Sequence, residues 1–381
     1  MSSMSITYLI GNGFDIGLGL DTRYVDFIDS YVSGVNRSDQ TLATFVEAIE
    51  KDRETWSDAE LAFGGLPFSE FGSDVEESFC RCYRDFQKAL RRYLKKQQNR
   101  LQLSQVTAEL KAEFRHSLIQ LVKYVGGRNR SIYLRLLDAQ KNAVAINCIN
   151  FNYTTAFDSL AGVADDAEAK SFSYKDEDTH REGNFYINKC VHVHGSLDGG
   201  RLLFGVNDVD QIVDRSFAGL SGADGYLIKS QMASEGSCGF YNEARELLKN
   251  SDVVVLFGLS YGATDKRWWD DIVELVQDPY RHLHFRTILC PYEVHPIEAV
   301  EIPDEILISK KEVKKFLQNT DLAESSYSDQ WIHERLVSLL HGPYNDIENS
   351  KDKFYCDPLH LNYFGRKCVK DFNREPIRYE E

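Results

Sequence analysis

Short apolar runs along the chain have the composition of buried β-strands. They are rich in Val, Ile and Leu, as expected of strands that are covered on both faces. The clearest runs lie at 6–10, 143–149, 190–194, 252–258 and 284–290, and a shorter one lies at 202–205. Segments with helical spacing separate them. This alternation predicts an α/β protein with a mainly parallel sheet and helices on both of its faces.

Charged, helix-like sequence fills most of the interval between the first two predicted strands. A helix at 22–32 comes first, and two apolar faces at helical spacing follow it. They are formed by Phe79, Tyr83, Phe86, Leu90 and Leu94, and by Leu110, Phe114, Leu118, Leu121 and Val125. We therefore predict one domain at 1–300 that is interrupted by a large helical insertion at about 35–140. A mixed C-terminal extension follows at 301–381.

Charge and composition restrict the partners of the chain. Its 381 residues carry a formal net charge of −15, which leaves no basic excess for general binding to nucleic acid phosphates. No apolar stretch reaches the roughly 18 residues of a membrane span, and the N-terminus lacks a signal-peptide pattern. The 8 cysteines include no Cys-x-x-Cys pair, so most are expected to be core residues. We expect a cytoplasmic protein without membrane contact.

A glycine turn follows the first predicted strand. Gly11, Asn12, Gly13, Phe14 and Asp15 stand between that strand and a helix, where backbone N–H groups can approach a diphosphate closely. A plain strand–helix turn would use the same glycines for their backbone geometry alone. Asp15 likewise has two interpretations, either a carboxylate that holds a ribose hydroxyl or a helix N-cap.

Two further polar motifs stand at the ends of predicted strands. Asn152 and Thr154 follow the second strand, and His194 ends the third. Ligands of open parallel sheets bind at the carboxyl ends of the strands, so these side chains are candidates for a site. Asn152 has a second interpretation, in which it only fixes its own loop. His192 is interpreted as a structural residue, because no third metal ligand at a suitable spacing accompanies the two histidines.

The glycine turn and both polar motifs resemble those of sirtuins. The segment 11–15 is similar to the sirtuin Gly-Ala-Gly-x-Ser loop, Asn152 matches the central asparagine of Thr-x-Asn-x-Asp, and His194 matches the catalytic histidine. The chain departs from the sirtuin motifs at Asp15 and Thr154, which stand in place of Ser and Asp. It also lacks the zinc-binding tetracysteine. These departures argue against a deacylase.

The same motifs resemble the AbiH family of bacteriophage abortive-infection proteins more closely. There Gly-Asn-Gly-Phe-Asp, Asn-Phe-Asn-Tyr-Thr and His-Gly recur in this order. The stretch 55–60 and the turn 258–262, followed by Asp265, are also similar to that family. The resemblance covers roughly 6–275. It implies a Rossmann-like, doubly wound, sirtuin-like fold and an antiphage function, with hydrolysis of NAD⁺ to nicotinamide and ADP-ribose as the leading activity.

The resemblance also implies roles for individual residues. Asn152 would position water or ribose, and His194 would act as a base towards a ribose hydroxyl or the water. The implied NAD-binding residues are Gly11, Asn12, Gly13, Phe14, Asp15, Thr154, Gly258, Ser260 and Asp265. NAD is thus a substrate, and no metal is expected. An enzyme that kills its host must be inactive before a phage-derived or host trigger arrives, and closure in a homo-oligomer would achieve this.

Two alternatives remain open at this point. The nucleotide fold would serve as a sensor or interaction module if it bound an NAD-derived ligand without turnover. The second alternative is a hydrolase, because Asp357 and His360 resemble the Asp-x-x-His motif of SGNH hydrolases. Those hydrolases place a nucleophilic serine after the first strand, where this chain has Gly11, Asn12 and Gly13. A nuclease is disfavoured by the acidic charge and by the lack of a carboxylate cluster.

Overall fold

The computed structural model describes residues 4–71, 74–121, 143–175, 182–199, 202–214, 227–229, 231–232, 239–278, 286–290, 313–327, 336–338, 359 and 361–372. Its strands are β1 (Ser5–Ile10), β2 (Val144–Asn150), β3 (Ser171–Lys175), β4 (Glu182–His192), β5 (Val253–Phe257), β6 (Arg286–Cys290) and β7 (Leu336–Ser338). They form one sheet in the order β3-β4-β2-β1-β5-β6-β7. The β3–β4 pair is antiparallel, and the other pairs are parallel.

Helices flank this sheet and make up most of the described part of the predicted insertion. They include α1 (Gly13–Gly17), α2 (Tyr24–Gly34), α3 (Gln40–Lys51), α4 (Ala59–Gly64), α5 (Val75–Gln98), α6 (Ala108–Leu121), α7 (Ala156–Ala161), α8 (Gly239–Lys249), α9 (Lys266–Gln277) and α10 (Leu361–Cys368). The predicted mixture of a mainly parallel sheet and helices is confirmed. Among the described residues, no helix combines the length and apolar character needed to cross a membrane.

Strand β1 lies at the centre of the sheet and is buried along its whole length. Successive side chains of a strand point to opposite faces. Accordingly, Tyr8 and Ile10 pack in one apolar cluster with Phe14 of α1, while Leu9 packs in a second cluster with Trp269 of α9. The continuous apolar sequence of β1 is therefore explained by helices on both faces.

A separate aromatic core holds the helices of the insertion together. Phe27, Phe45, Phe63 and Phe86 from four helices meet there, with Phe63 and Phe86 in ring contact at 5.6 Å between centroids. The predicted apolar face of α5 is buried in the same core. Helix α6 differs, because its Phe114 packs in the cluster of the sheet. The side chain of Leu121 and residue Val125 lie outside the described residues.

Two of the predicted strands need correction. The run 190–194 is the end of the longer β4, which stops at His192, so His194 lies in the turn that follows. The run 202–205 is not a strand. Its carbonyl groups accept hydrogen bonds from side chains instead, as Phe204 O does from Tyr83 Oη at 2.8 Å and Leu203 O from Tyr153 Oη at 3.0 Å. Burial among helices, rather than strand pairing, accounts for its apolar sequence.

The C-terminal extension contributes to the same sheet and core as the rest of the chain. Strand β7 pairs with β6 in parallel. Helix α10 places Leu361 and Phe364 in the apolar cluster that contains Phe14. The approach is close, since a Cβ atom built on Gly17 of α1 would lie 2.4 Å from Cδ1 of Leu361. The extension therefore covers the face of the sheet on which α1 lies.

Candidate functional site

The carboxyl ends of β1, β2, β4 and β5 bring the sequence motifs together. In the sheet register Ile10 is paired with Asn150 of β2 and with Phe257 of β5, and Asn150 is paired with His192 of β4. The residues after these strands therefore lie side by side. Nδ2 of Asn152 donates a hydrogen bond to the carbonyl of Gly11 at 3.0 Å, which joins the second motif to the glycine turn.

The glycine turn packs directly against the turn after β5. The N–H of Gly13 donates to the carbonyl of Gly258 at 2.9 Å, and the N–H of Gly11 donates to that of Phe257 at 2.8 Å. A Cβ atom on Gly11 would lie 2.6 Å from the Gly258 carbonyl oxygen, and Gly258 itself has a φ of +63°. The glycines thus permit the close approach of two turns. The N–H groups of Gly11 and Gly13 are not free to hold a diphosphate.

The other residues of the glycine turn are held by internal contacts. The side chain of Asn12 makes two hydrogen bonds to Thr22. Its Nδ2 donates to the backbone carbonyl of Thr22 at 3.0 Å, and its Oδ1 accepts from the Thr22 hydroxyl at 2.6 Å. Phe14 is fully buried, with its ring 5.9 Å from that of Phe114 and 5.5 Å from that of Phe157. These contacts give Asn12 and Phe14 structural roles in the turn and the core.

Asp15 lies inside α1, whose N-cap is Asn12, and it is 1% exposed. The hydroxyl of Thr154 donates to its Oδ2 at 2.6 Å, while its buried Oδ1 has no hydrogen-bond partner among the described residues. Burial raises the pKa of Asp15 to about 7, against the opposing effects of the Thr154 hydrogen bond and of His192. The N-cap interpretation of Asp15 is therefore wrong, while contact of its carboxylate with a ribose hydroxyl stays a prediction.

His194 forms the centre of a charged network beside the glycine turn. Its Nε2 lies 2.9 Å from Oδ1 of Asp265, a residue of the short 3₁₀ turn Ala263–Asp265 that precedes α9. The imidazole contacts two aromatic rings, with ring centroids 5.4 Å from Phe151 and 6.3 Å from Tyr153. The aromatic contacts and the carboxylate together fix the orientation of the ring.

Two residues that the sequence analysis did not assign complete this network. Nζ of Lys229 donates to Oδ1 of Asp265 at 2.9 Å and to Oε2 of Glu60 at 2.6 Å. Although burial favours the neutral acid, Lys229 and His194 hold the pKa of Asp265 well below its usual range. Burial raises the pKa of Glu60, against the attraction of Lys229. Glu60 Oε1 is buried without a partner among the described residues.

A small cleft of about 20 Å³, partly open to solvent, borders His194. Its charged lining residues are Lys229, Asp265 and Arg267. Tyr241 and Trp268 supply aromatic walls, and the Arg267 guanidinium lies 5.6 Å from the centroid of the Tyr241 ring. Among the described residues Asn152 and Ser260 are not part of this lining. Asn152 is buried, whereas Ser260 is exposed at the turn after β5.

A second polar cluster surrounds His192 at the end of β4. Its Nδ1 donates to the carbonyl of Asn152 at 2.9 Å, and its Nε2 lies 3.0 Å from Oδ2 of Asp158 in α7. Although burial opposes the charge, the hydrogen bonds to Asp158 and Cys190 raise the pKa of His192 to about 11. Potential metal-ligand atoms of Asp158, Cys190 and His192 all lie within 4.8 Å of one another. The two histidines therefore belong to different clusters.

Sequence reasoning missed Glu60, Lys229 and Asp158 as members of these clusters. Glu60 ends the stretch 55–60, whose resemblance to a family motif was the signal available. Lys229 follows Leu227 and Ile228 without any motif, and Asp158 is one acidic residue in the first turn of a short helix. Asp357 and His360, the candidate hydrolase pair, lie outside the described residues.

The fold and the site define a class of protein, an α/β protein with a buried His–Asp–Lys–Glu network at the carboxyl edge of a mainly parallel sheet. Residues 7–286 match the family model described as bacteriophage abortive infection AbiH. The chain therefore belongs to the AbiH family, and this membership indicates a function in antiphage abortive infection. A search of the curated proteins found no match.

Proposed function

We propose that this AbiH chain acts in abortive infection by hydrolysing the bond between nicotinamide and ribose in NAD⁺. The observation that carries the proposal is the pairing of His194 with Asp265 in the lining of a small cleft. The sheet supports it as well, because the parallel strands β4-β2-β1-β5-β6-β7 have the order 3-2-1-4-5-6 of dinucleotide-binding folds. In such folds the ligand binds at the carboxyl edge of the sheet, beside the first strand.

The hydrogen-bond partner of His194 assigns its tautomer. The Asp265 carboxylate is held in its ionised form, so it accepts a hydrogen bond from Nε2–H of the imidazole. Nδ1 then carries the lone pair and is the atom that accepts a proton. Asp265 also stabilises the imidazolium that forms, as carboxylates do in other His–Asp pairs. This arrangement is that of a general base.

The reaction needs one base and no general acid for the leaving group. Nicotinamide is already cationic in NAD⁺ and leaves as the neutral base when the bond to C1′ of the ribose breaks. Water adds to C1′ and gives its proton to Nδ1 of His194, which releases it to solvent. The products are nicotinamide, ADP-ribose and one proton. Positioning of the water and ribose supplies the rest of the rate enhancement.

The charges of the cleft suggest how the rest of NAD⁺ is held. Lys229 is neutralised by Glu60 and Asp265. Arg267 is therefore the cation that we assign to the diphosphate, since a guanidinium binds phosphate oxygens in a bidentate manner. The aromatic walls of Tyr241 and Trp268 offer a surface for a base. Ser260 would contact the adenosine half from the exposed turn after β5.

Asn152 acts as a positioning residue in this proposal. The side-chain N–H of Asn152 donates a hydrogen bond to the backbone carbonyl of Gly11, and its backbone carbonyl accepts one from Nδ1 of His192. It thus links the glycine turn, β2 and β4 rather than contacting water. Thr154 has a similar role through its bond to Asp15. Gly258 permits the packing of the two turns.

The proposal is tested by incubating the purified full chain with NAD⁺ and quantifying nicotinamide and ADP-ribose, with and without lysate of phage-infected cells. We expect nicotinamide release that is lost in His194→Ala and retained in His116→Ala. His116 is a matched control, because it contacts Phe172 and Tyr174 away from the cleft. Full activity of His194→Ala would remove the mechanism. Binding of NAD⁺ without turnover in both conditions would identify a sensor instead.

A further inference from the structure

The cluster of Asp158, Cys190 and His192 is not used by the proposed reaction. Cys190 and His192 lie two residues apart on β4, so their side chains share one face of the strand. Asp158 reaches them from the first turn of α7. The cluster is partly accessible, since the side chain of His192 is 13% exposed and that of Asp158 is 22% exposed. An ion can therefore reach it from solvent.

The hydrogen bond at Nδ1 prepares His192 to be a ligand. A carbonyl oxygen only accepts, so the contact with the Asn152 carbonyl places the hydrogen on Nδ1. Nε2 then faces Asp158 and Cys190, where its N–H donates to the Asp158 carboxylate and where an ion would take the place of that hydrogen. An N–H bond from the far side of the ring to a backbone carbonyl is the usual support of a metal-bound histidine.

The distances within the cluster fit a tetrahedral ion. Zinc bonds to nitrogen and oxygen ligands are about 2.0–2.2 Å, which separates two such ligands by about 3.4 Å at a tetrahedral angle. Nε2 of His192 and Oδ2 of Asp158 are 3.0 Å apart, so a small outward movement admits the ion. A thiolate, an imidazole and a carboxylate together suit Zn²⁺ better than Mg²⁺ or Ca²⁺, which prefer oxygen ligands.

We propose that Asp158, Cys190 and His192 bind a Zn²⁺ ion. The Cys190 thiol and Nε2 of His192 each give a proton to solvent as their bonds to zinc form, and a carboxylate oxygen of Asp158 completes the three protein ligands. The ion joins β4 to α7. Through the His192–Asn152 hydrogen bond it also stabilises the loop that carries Asn152. This inference departs from the expectation of a metal-free protein and is independent of NAD⁺ hydrolysis.

The test uses the full chain after dialysis against a chelator and follows Co²⁺ binding by absorption. We expect one equivalent of Co²⁺ to produce a thiolate-to-cobalt charge-transfer band that Zn²⁺ abolishes. The band should be lost in Cys190→Ser and retained in Cys80→Ser, a control on helix α5. No band in the wild-type protein, or an unchanged band in Cys190→Ser, would overturn the proposal in favour of a His192–Asp158 ion pair.

A second measurement does not depend on a thiol variant. Zn²⁺ that binds only the folded state raises the melting temperature. We expect Zn²⁺ to raise the melting temperature of the chelator-treated wild-type protein and to have no such effect on His192→Gln. An equal rise in both proteins would place the ion elsewhere. Neither assay requires catalytic turnover, so the zinc proposal and the NAD⁺ proposal can fail separately.

Discussion

Oδ1 of Asp265 accepts hydrogen bonds from Nε2 of His194 and from Nζ of Lys229, each at 2.9 Å. The same oxygen thus meets two donors that come from different parts of the chain. Lys229 keeps Asp265 ionised, and Asp265 in turn fixes the tautomer of His194. The helical insertion takes part as well, because Glu60 of α4 accepts a second hydrogen bond from Nζ of Lys229.

We predict that Asp265→Asn lowers the rate of NAD⁺ hydrolysis by about 100-fold or more. The amide no longer fixes Nε2–H or stabilises the imidazolium, so His194 becomes a weaker base. Steady-state kinetics should show the loss in kcat, with a smaller change in KM. Asp270→Asn is the control, because Asp270 pairs with Lys266 on α9 outside the cleft. Equal rates for wild type and Asp265→Asn would contradict the role of the pair.

Replacing Lys229 by methionine should destabilise the fold. The substitution leaves the buried carboxylate of Glu60 and the 17% exposed carboxylate of Asp265 without their cation. Breaking a buried ion pair costs about 3–5 kcal/mol. Urea unfolding measures the change, and Glu60→Gln in the same chain should recover part of it. Lys95→Met removes an exposed pair with Asp198 and should change stability by about 1 kcal/mol or less. Similar effects of both substitutions would exclude a strongly coupled buried network.

Asp15 should make stability fall as pH rises from about 4 to about 7. Folded Asp15 keeps its proton to about pH 7, whereas the unfolded chain loses it near pH 4, so the folded state binds more protons in this interval. The free energy of unfolding then falls by up to about 1.4 kcal/mol per pH unit. Asp15→Asn removes this term, and its stability relative to wild type should increase from pH 4 to pH 7.

The measurement is urea unfolding at several pH values with a chelator present. Asp165→Asn is the control, because the pH dependence of stability that this carboxyl contributes has the opposite sign to that of Asp15. Although burial works against its charge, Lys111 and Arg115 lower the pKa of Asp165, so its ionised form stabilises the fold. This variant should lose stability relative to wild type as pH rises towards about 4, and the difference should then stay nearly constant up to pH 7. A pH-independent difference between wild type and Asp15→Asn would refute the raised pKa.

Gly11→Ala should destabilise the protein by about 1–3 kcal/mol, the cost of adding a methyl group to a well-packed position. The new Cβ would lie 2.6 Å from the carbonyl oxygen of Gly258, which is backbone and cannot rotate away. Gly34→Ala, at the end of α2, is the control, because its Cβ would meet no atom within 4 Å. Thermal melting of both variants should show a loss only for Gly11→Ala.

Much of the fold could be predicted from local pattern. The central strands β1, β2, β5 and β6 lie within one or two residues of their predicted bounds. The apolar face of α5 is also buried as predicted, because helical spacing defines it within one element. The run 202–205 shows the limit of this reasoning. Its apolar residues indicate that the segment is buried. A buried strand and a loop buried among helices have the same apolar sequence, so the pattern does not distinguish them.

The sequence by itself determined the alternation of strands and helices and the three motifs at the ends of strands, because spacing and residue type are local properties. Only the tertiary structure decided which side chains meet. Lys229 lies 169 residues from Glu60 in sequence, and nothing in their neighbours predicts that they pair. Likewise, only the tertiary structure shows that the glycine turn packs against Gly258 and uses its N–H groups in hydrogen bonds to the turn after β5. Contacts between distant segments depend on how whole elements pack, which no local pattern contains.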